Sequence, residues 1–434
     1  MRRSDLPIPI LLIAALAVIW LLFATAPEPE LRNRFLVVPG GWWRLLAALV
    51  TGIIAVGGSA WLWGKSRRPM KAGQYAVTAG THLLLWSAIA ATFYPIVYLL
   101  AVSFNRNDTL AGALPREGNL LVRAGVFPDP ANISTVQYQK VLSATQLLPF
   151  QVVLAGLALL ALVMLFVAVF AGRRSGRFDV VRNVSGASLF LLVAALVISI
   201  TPEQFYTVNS AGMRVPAASD RTIVLFIRNT LLVSGTTGLF AVAISTTAGY
   251  AFSRLKFEGR YRTLLVFVFV QMFPAFMALV AIYYLMSYLD LLNTFTGLIL
   301  AYSGGAIAFS AWIFKGYLDS ISPSLEEQAM VDGATRWGAF WRVILPISVP
   351  MLLFIFLNQF IGTYSEFILA NTLLVGQERW TVGIGLRNFT TNQFATQWGA
   401  MAVSAVLGSV PILAIFYSFQ DALTGQFTAG SVKG

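Results

Sequence analysis

Cysteine is absent from this chain and histidine occurs once, at His82. Disulfides, thiolate metal sites and a centre built on several imidazoles are therefore excluded. Charge is scarce as well: 11% of the residues are charged, against about 25% in an ordinary soluble domain. Nor do acid, base, nucleophile and metal ligands gather into a pattern that an enzyme would need, so no catalytic residue and no metal ligand is assigned. What takes their place is apolar side chains, 57% of the residues, and the solvent such a composition suits is lipid.

A transmembrane helix needs about 20 mainly apolar residues. Ten stretches qualify as candidates, near 8–26, 43–64, 77–103, 148–171, 184–201, 229–252, 263–289, 295–314, 348–373 and 398–420. Backbone polar groups must be satisfied internally in lipid, so these runs are read as helices. The alternation of an outer-membrane barrel is not seen in them. The expected fold is an all-α polytopic membrane protein with about ten transmembrane helices.

The net charge of +12 sits in short clusters between the apolar runs rather than in a basic stripe, which argues against nucleic-acid binding. Arg2 and Arg3, Lys65 to Lys71, Arg173 to Arg182, Arg254 to Arg262, and Lys315, Arg336 and Arg342 all fall on one side. By the positive-inside rule that side is the cytoplasm, and both termini are expected there. The start imitates a secretory signal, with Ala24-Thr25-Ala26 after an apolar stretch, but Pro27 follows directly and cleavage is not expected.

The longest inside loop, 321–346, reads ISPSLEEQAMVDGATRWGAFWRVILP. Ser324 and Glu327 form a capping-box pattern behind Pro323, and Glu326 and Glu327 suit the first turn of a helix. Gly333 can end that helix in the left-handed conformation, and a second helix is expected from about Thr335 to Ile344, with Pro346 ahead of the next span. On spacing alone, an amphipathic interfacial helix without a partner would read the same way.

From Glu327 onward this loop resembles the EAA signature of the membrane subunits of binding-protein-dependent ABC importers. Glu327, Ala329, Gly333, Leu345 and Pro346 match it, while Gln328 and Val343 depart mildly. The runs RNTLLVSGTTGLFAVAISTTAGYAFSRLKFEG and QMFPAFMALVAIYYL, and the tail from Ala429 to Gly434, resemble the maltose/maltodextrin branch of that family. The resemblance covers 221–434 and the span at 77–103. It implies a permease core of the type I importer (MetI-like) kind, working by alternating access in a bacterial or archaeal inner membrane. It also implies a sugar cargo, a second homologous permease subunit, two ATPase subunits that bind the ATP and magnesium, and an external solute-binding protein. Glu326, Glu327, Ala329, Asp332, Gly333, Ala334, Arg336, Leu345 and Pro346 would form the ATPase-docking element, with Glu327 meeting a basic group and Gly333 shaping the turn. The domain reading is 1–76 for two extra N-terminal helices, 77–220 for a first core-like helix, an external loop and an inserted helix pair, and 221–434 for the permease core. The extra helices could simply enlarge the lipid-facing perimeter.

No ATPase site is read in the chain. Gly64-Lys65-Ser66 imitates the end of a phosphate loop, but Ser59 stands where its first glycine belongs and Trp61 and Trp63 finish a membrane helix. The runner-up class, an ion-coupled carrier, would place ionisable groups in the membrane, and the spans offer little beyond Glu366 and His82. Polar and helix-breaking residues gather at Gln271 and Pro274, at Gly304 and Gly305, and at Asn358, Gln359, Thr363 and Tyr364. They either border a translocation path or serve as packing kinks. The outer loop 374–397 carries Trp380, Arg387, Asn388 and Phe389, which are either interface anchors or, by resemblance, a loop that reaches into the binding protein.

Overall fold

The structure is a computed structural model and describes residues 30–32, 35–37, 39–67, 72–107, 122, 125–142, 147–171, 179–208, 212–216, 223–390 and 397–429. The span expected at 8–26 lies outside them. The chain divides into two compact units, 1–135 and 136–434.

In the first unit a short hairpin, β1 (Glu30–Arg32) with β2 (Phe35–Val37), precedes two long helices, α1 (Gly41–Arg67) and α2 (Ala72–Ser103). Small side chains let these helices approach closely: Val56, Ala60 and Ala79 are buried together, and Gly64 faces the Tyr75 ring. This is how membrane helices associate where lipid offers no hydrophobic drive between them. His82 meets the Thr78 carbonyl one turn back through Nδ1 at 2.7 Å, a bond local to its helix.

The second unit opens with α3 (Val136–Leu142) and an apolar pair, α4 (Pro149–Ala171) and α5 (Asp179–Ser199). A second hairpin, β3 (Tyr206–Val208) with β4 (Arg214–Pro216), follows. Then come α6 (Ile223–Arg254), α7 (Arg260–Gln271), α8 (Ala275–Tyr288), α9 (Phe295–Asp319), α10 (Ser324–Val331) and α11 (Arg336–Ala339). The chain ends with α12 (Leu345–Ser365), α13 (Ile368–Leu373), α14 (Val382–Asn388) and α15 (Trp398–Ala429). Helix α6 lies at the centre, against α9 and α12. A Cβ on Gly249 would stand 3.1 Å from the Ala311 oxygen and the Lys315 nitrogen of α9, and one on Gly238 would stand 3.0 Å from the Phe356 ring of α12. The α4–α5 pair packs on α15 through Leu165, Leu189 and Ala414.

Among the described residues, seven helices are long and apolar enough to cross a membrane, against the ten stretches expected. Two differences have a clear physical cause. The 263–289 run is two helices, because Pro274 has no N–H to continue α7 and sits extended (ψ 119°) as the cap of α8. The 348–373 run also breaks, at Glu366, which turns extended (ψ 137°) before α13. The opposite holds at Pro346, where a stop was expected. Arg336–Ser365 runs on as one helical segment through a π-turn at Phe340–Ile344. Pro346 lies just beyond that wide turn, in the first turn of α12, where a missing N–H is tolerated.

Candidate functional site

The 321–346 segment folds as a helix, a glycine turn and a second helix. Its ending at Gly333 follows from local backbone chemistry. Gly333 takes φ +90°, the Ala334 N–H reaches back to the Ala329 carbonyl at 2.9 Å, and the Gly333 N–H reaches Met330 at 3.1 Å. This pair of bonds is the Schellman arrangement, which satisfies carbonyls that a helix end leaves open. Thr335 then caps α11, its Oγ1 accepting from the Gly338 N–H at 3.0 Å. The start differs from the sequence pattern. Ser324 already lies within α10, whose cap is Pro323, one residue before the expected one and without a side-chain cap bond, while the Ser324 N–H points to Ser322 Oγ at 3.4 Å.

Glu326 and Glu327 are neighbours with opposite surroundings. Glu327 is exposed, whereas Glu326 is 6% exposed and held inside the chain. Arg254 at the end of α6 donates from Nε to Glu326 Oε1 at 2.5 Å and from Nη2 to the Ile321 carbonyl at 2.9 Å. The Tyr250 hydroxyl donates to Glu326 Oε2 at 3.0 Å. Beside this clamp the Ser253 hydroxyl donates to Asp319 at 2.7 Å, and Lys315 pairs with the same carboxylate at 2.6 Å. The Phe340 ring lies between Tyr250 (4.7 Å) and Trp337 (5.1 Å, stacked), fastening α11 to the same corner. Two carboxylates that look equivalent in sequence thus do different things: one anchors the module, the other is presented outward.

The outward face holds Glu327, Asp332, Gly333, Arg336 and Pro346, together with Val331 (87% exposed), Trp337 and Trp341. Ala329, Ala334 and Leu345 are half-buried. Sequence reasoning missed Arg254, Tyr250 and Phe340. Arg254 was visible only as one charge in a basic cluster, and its partner lies 72 residues away.

The segment 374–389 is built on side chains from distant elements. The Asn293 carboxamide oxygen accepts from the Val375 and Gly376 N–H groups at 3.0 and 2.9 Å. The Trp380 indole donates to the Val375 carbonyl at 3.2 Å and packs near Phe226, and Phe389 is buried with Val141 and Ala400. Arg387 and Asn388 are exposed, and Arg387 donates to the Asn371 side chain at 2.9 Å. Residues 391–396 of the expected loop lie outside the described ones.

The polar residues of the spans separate as well. Gln271 donates to the Gly305 carbonyl at 2.9 Å, bridging the end of α7 to α9 beside exposed Pro274. Gln359 reaches Ser310 at 3.3 Å, and buried Tyr364 donates to the Gly408 carbonyl at 2.6 Å, tying α12 to α15. Asn358 is exposed on α12, on one face with Ile361, Gly362 and Ser365. Glu366 is a cap: its carboxylate accepts from the Leu369 and Ala370 N–H groups at 2.9 and 3.2 Å and from the Tyr302 hydroxyl at 2.5 Å. Among the described residues no cluster of His, Asp or Glu could hold a metal ion.

The chain is similar to known proteins in sequence and in fold. Residues 241–427 match the model of the family described as binding-protein-dependent transport system inner membrane component. The maltose/maltodextrin transport system permease protein MalG of Vibrio parahaemolyticus is 44% identical over 218 residues, covering 49% of this chain and 73% of that protein. The Yersinia pestis protein of the same name is 37% identical over 271 residues, covering 57% of this chain and 89% of the relative. Among solved structures, a chain of a bacterial ABC transporter involved in importing the acidic polysaccharide alginate aligns with a TM-score of 0.52 at 17% identity, covering 79% of this chain and 94% of that one. That last likeness concerns the fold alone. With an EAA-type helix–turn–helix inside the matched region and relatives aligned over most of their length, the chain belongs to the family of inner-membrane permease components of binding-protein-dependent ABC transport systems.

Proposed function

We propose that this chain is one of two membrane subunits of an ATP-driven importer for maltodextrin-like oligosaccharides, moving cargo by alternating access. The observation that carries the reading is the α10–Gly333–α11 module. Its inner face is anchored by Glu326, while Glu327, Val331, Asp332 and Trp337 stand uncovered on its outer face. A module this well fastened on one side and this exposed on the other suits a docking element for a separate motor. The motor chains would hold ATP and magnesium, and this chain would supply Glu327 to a basic group on them. The named cargo of the relatives, maltose/maltodextrin, supports the sugar assignment.

In this reading both termini and the 321–346 loop face the cytoplasm, and the 374–389 segment faces an external binding protein. Arg387 and Asn388 are the groups placed to meet that protein, whereas Trp380 and Phe389 hold the segment's own shape. The exposed face of α12 bearing Asn358, Gly362 and Ser365 would border the route or the second membrane subunit. Alternating access then amounts to a shift between two packings of the core helices.

Affinity co-purification from native membranes tests the reading. An ATPase should accompany the native chain and be lost with Glu327→Lys, because a positive charge would face the basic group. Its absence from the native preparation under gentle extraction would reject the importer assignment.

A further inference from the structure

Helix α6 is fastened at both ends to segments remote in sequence. At its C-terminal end Arg254 and Tyr250 clamp Glu326 and the Ile321 carbonyl of the docking module. Near its N-terminal end Asn229 and Thr230, both fully buried, reach the segment 378–382. The Asn229 amide donates to the carbonyls of Glu378 (2.9 Å) and Trp380 (3.0 Å), and its oxygen accepts from Arg228 at 3.1 Å. Thr230 Oγ1 accepts from the Val382 N–H at 2.8 Å and donates to the Phe226 carbonyl at 2.7 Å. Val382 opens α14, whose own cap residue Thr381 makes no side-chain cap bond. The open donor of that helix is therefore satisfied from α6.

Between these ends α6 has no proline and no break, and Gly238 and Gly249 bring it within backbone contact of α12 and α9. The stretch from Asn229 to Arg254 spans about 38 Å at about 1.5 Å per residue. A helix so packed moves as a body rather than bending.

We infer that α6 is a strut with two positioning ends: Arg254 binds the docking module to it, and Asn229 and Thr230 bind the outer segment 378–382 to it. A displacement of the docking module therefore reaches the outer segment through one rigid element. The inference rests on the importer reading and adds the residues that join its two sites. The bonds run to main-chain groups, so the outer segment can vary in sequence while staying attached.

The absence of cysteine from this chain permits a single reporter on it, introduced before assembly with the other subunits. A nitroxide on Val375→Cys, 77% exposed, is followed in the complete complex, purified with its ATPase and embedded in lipid nanodiscs. Spectra are compared without nucleotide and with ATP and vanadate. The native background should change on trapping. Thr230→Val keeps the side-chain shape but loses the acceptor for Val382, and should abolish most of that change while ATP hydrolysis continues. Thr230→Ser should restore it. Asn229→Asp, which loses both donors, is read in parallel in case Thr230→Val fails to assemble. A full nucleotide response in either variant overturns the inference and leaves the importer reading intact. A native complex with no ATPase overturns both.

Discussion

Replacing Arg254 with methionine should loosen the 321–346 module far more than the modest surface position of a loop salt bridge suggests. Both side chains of the Arg254–Glu326 pair are about one-tenth exposed, and removing one member of a buried pair costs about 3–5 kcal/mol because the other charge is stranded. The two halves are not equivalent. Without Arg254, the Glu326 carboxylate keeps only the Tyr250 hydroxyl among its partners here; without Glu326, Arg254 keeps the Ile321 carbonyl and Ser253. Arg254→Met belongs at the upper end of that range and Glu326→Met nearer 2–3 kcal/mol, since hydrogen bonds to charged groups contribute roughly 1.5–3 kcal/mol each. The double variant should recover much of the loss, as apolar replacements of buried pairs commonly do. Hydrogen exchange of the α10 amides in nanodiscs reads the local opening, with about 1.4 kcal/mol per tenfold in rate. Arg254→Met should exchange on the order of a thousandfold faster than native if opening is local. Exchange unchanged in both single variants, or a double variant worse than the sum of the singles, would refute the reasoning.

Gly249→Ala should lower the stability of the solubilised chain by about 1–3 kcal/mol, because the added Cβ meets α9 backbone at 3.1 Å, while Gly235→Ala, with open space around it, should be nearly silent in the same thermal melt. At Gly333, φ +90° makes valine costly by about 1–3 kcal/mol; the variant should fray α10 by hydrogen exchange and recover less ATPase on co-purification. Glu366→Gln should speed exchange in α13 more than Tyr302→Phe, because the first weakens the cap while the second removes one of three donors; equal effects would reject the capping role.

Much of the membrane architecture was legible in sequence, since a span depends on the apolarity of about 20 consecutive residues and on nothing remote. The turn of the 321–346 module was legible for the same reason: Gly333 and Thr335 act on atoms within five residues of themselves. The breaks at Pro274 and Glu366 were half-legible. Pro274 was marked as a helix breaker, yet whether a proline divides a span depends on what satisfies the freed groups, and Pro346 shows the opposite outcome. The residues marked as a possible path divided in the fold: Gln271, Gln359 and Tyr364 bond to neighbouring helices, and Pro274 and Asn358 stay exposed.

By itself the sequence determined the apolar nature of the spans, the helix–glycine–helix form of the 321–346 segment and the EAA-like pattern it carries. Tertiary structure alone decided that Glu326 is an anchor and Glu327 a free face, for adjacent helical residues point about 100° apart and only the neighbour at Arg254 distinguishes them. It also decided that Asn229 and Thr230, unremarkable in their run, hold backbone 149 to 152 residues away. Periodicity and capping are local, whereas the burial of a single polar group is set by whichever element the fold lays across it.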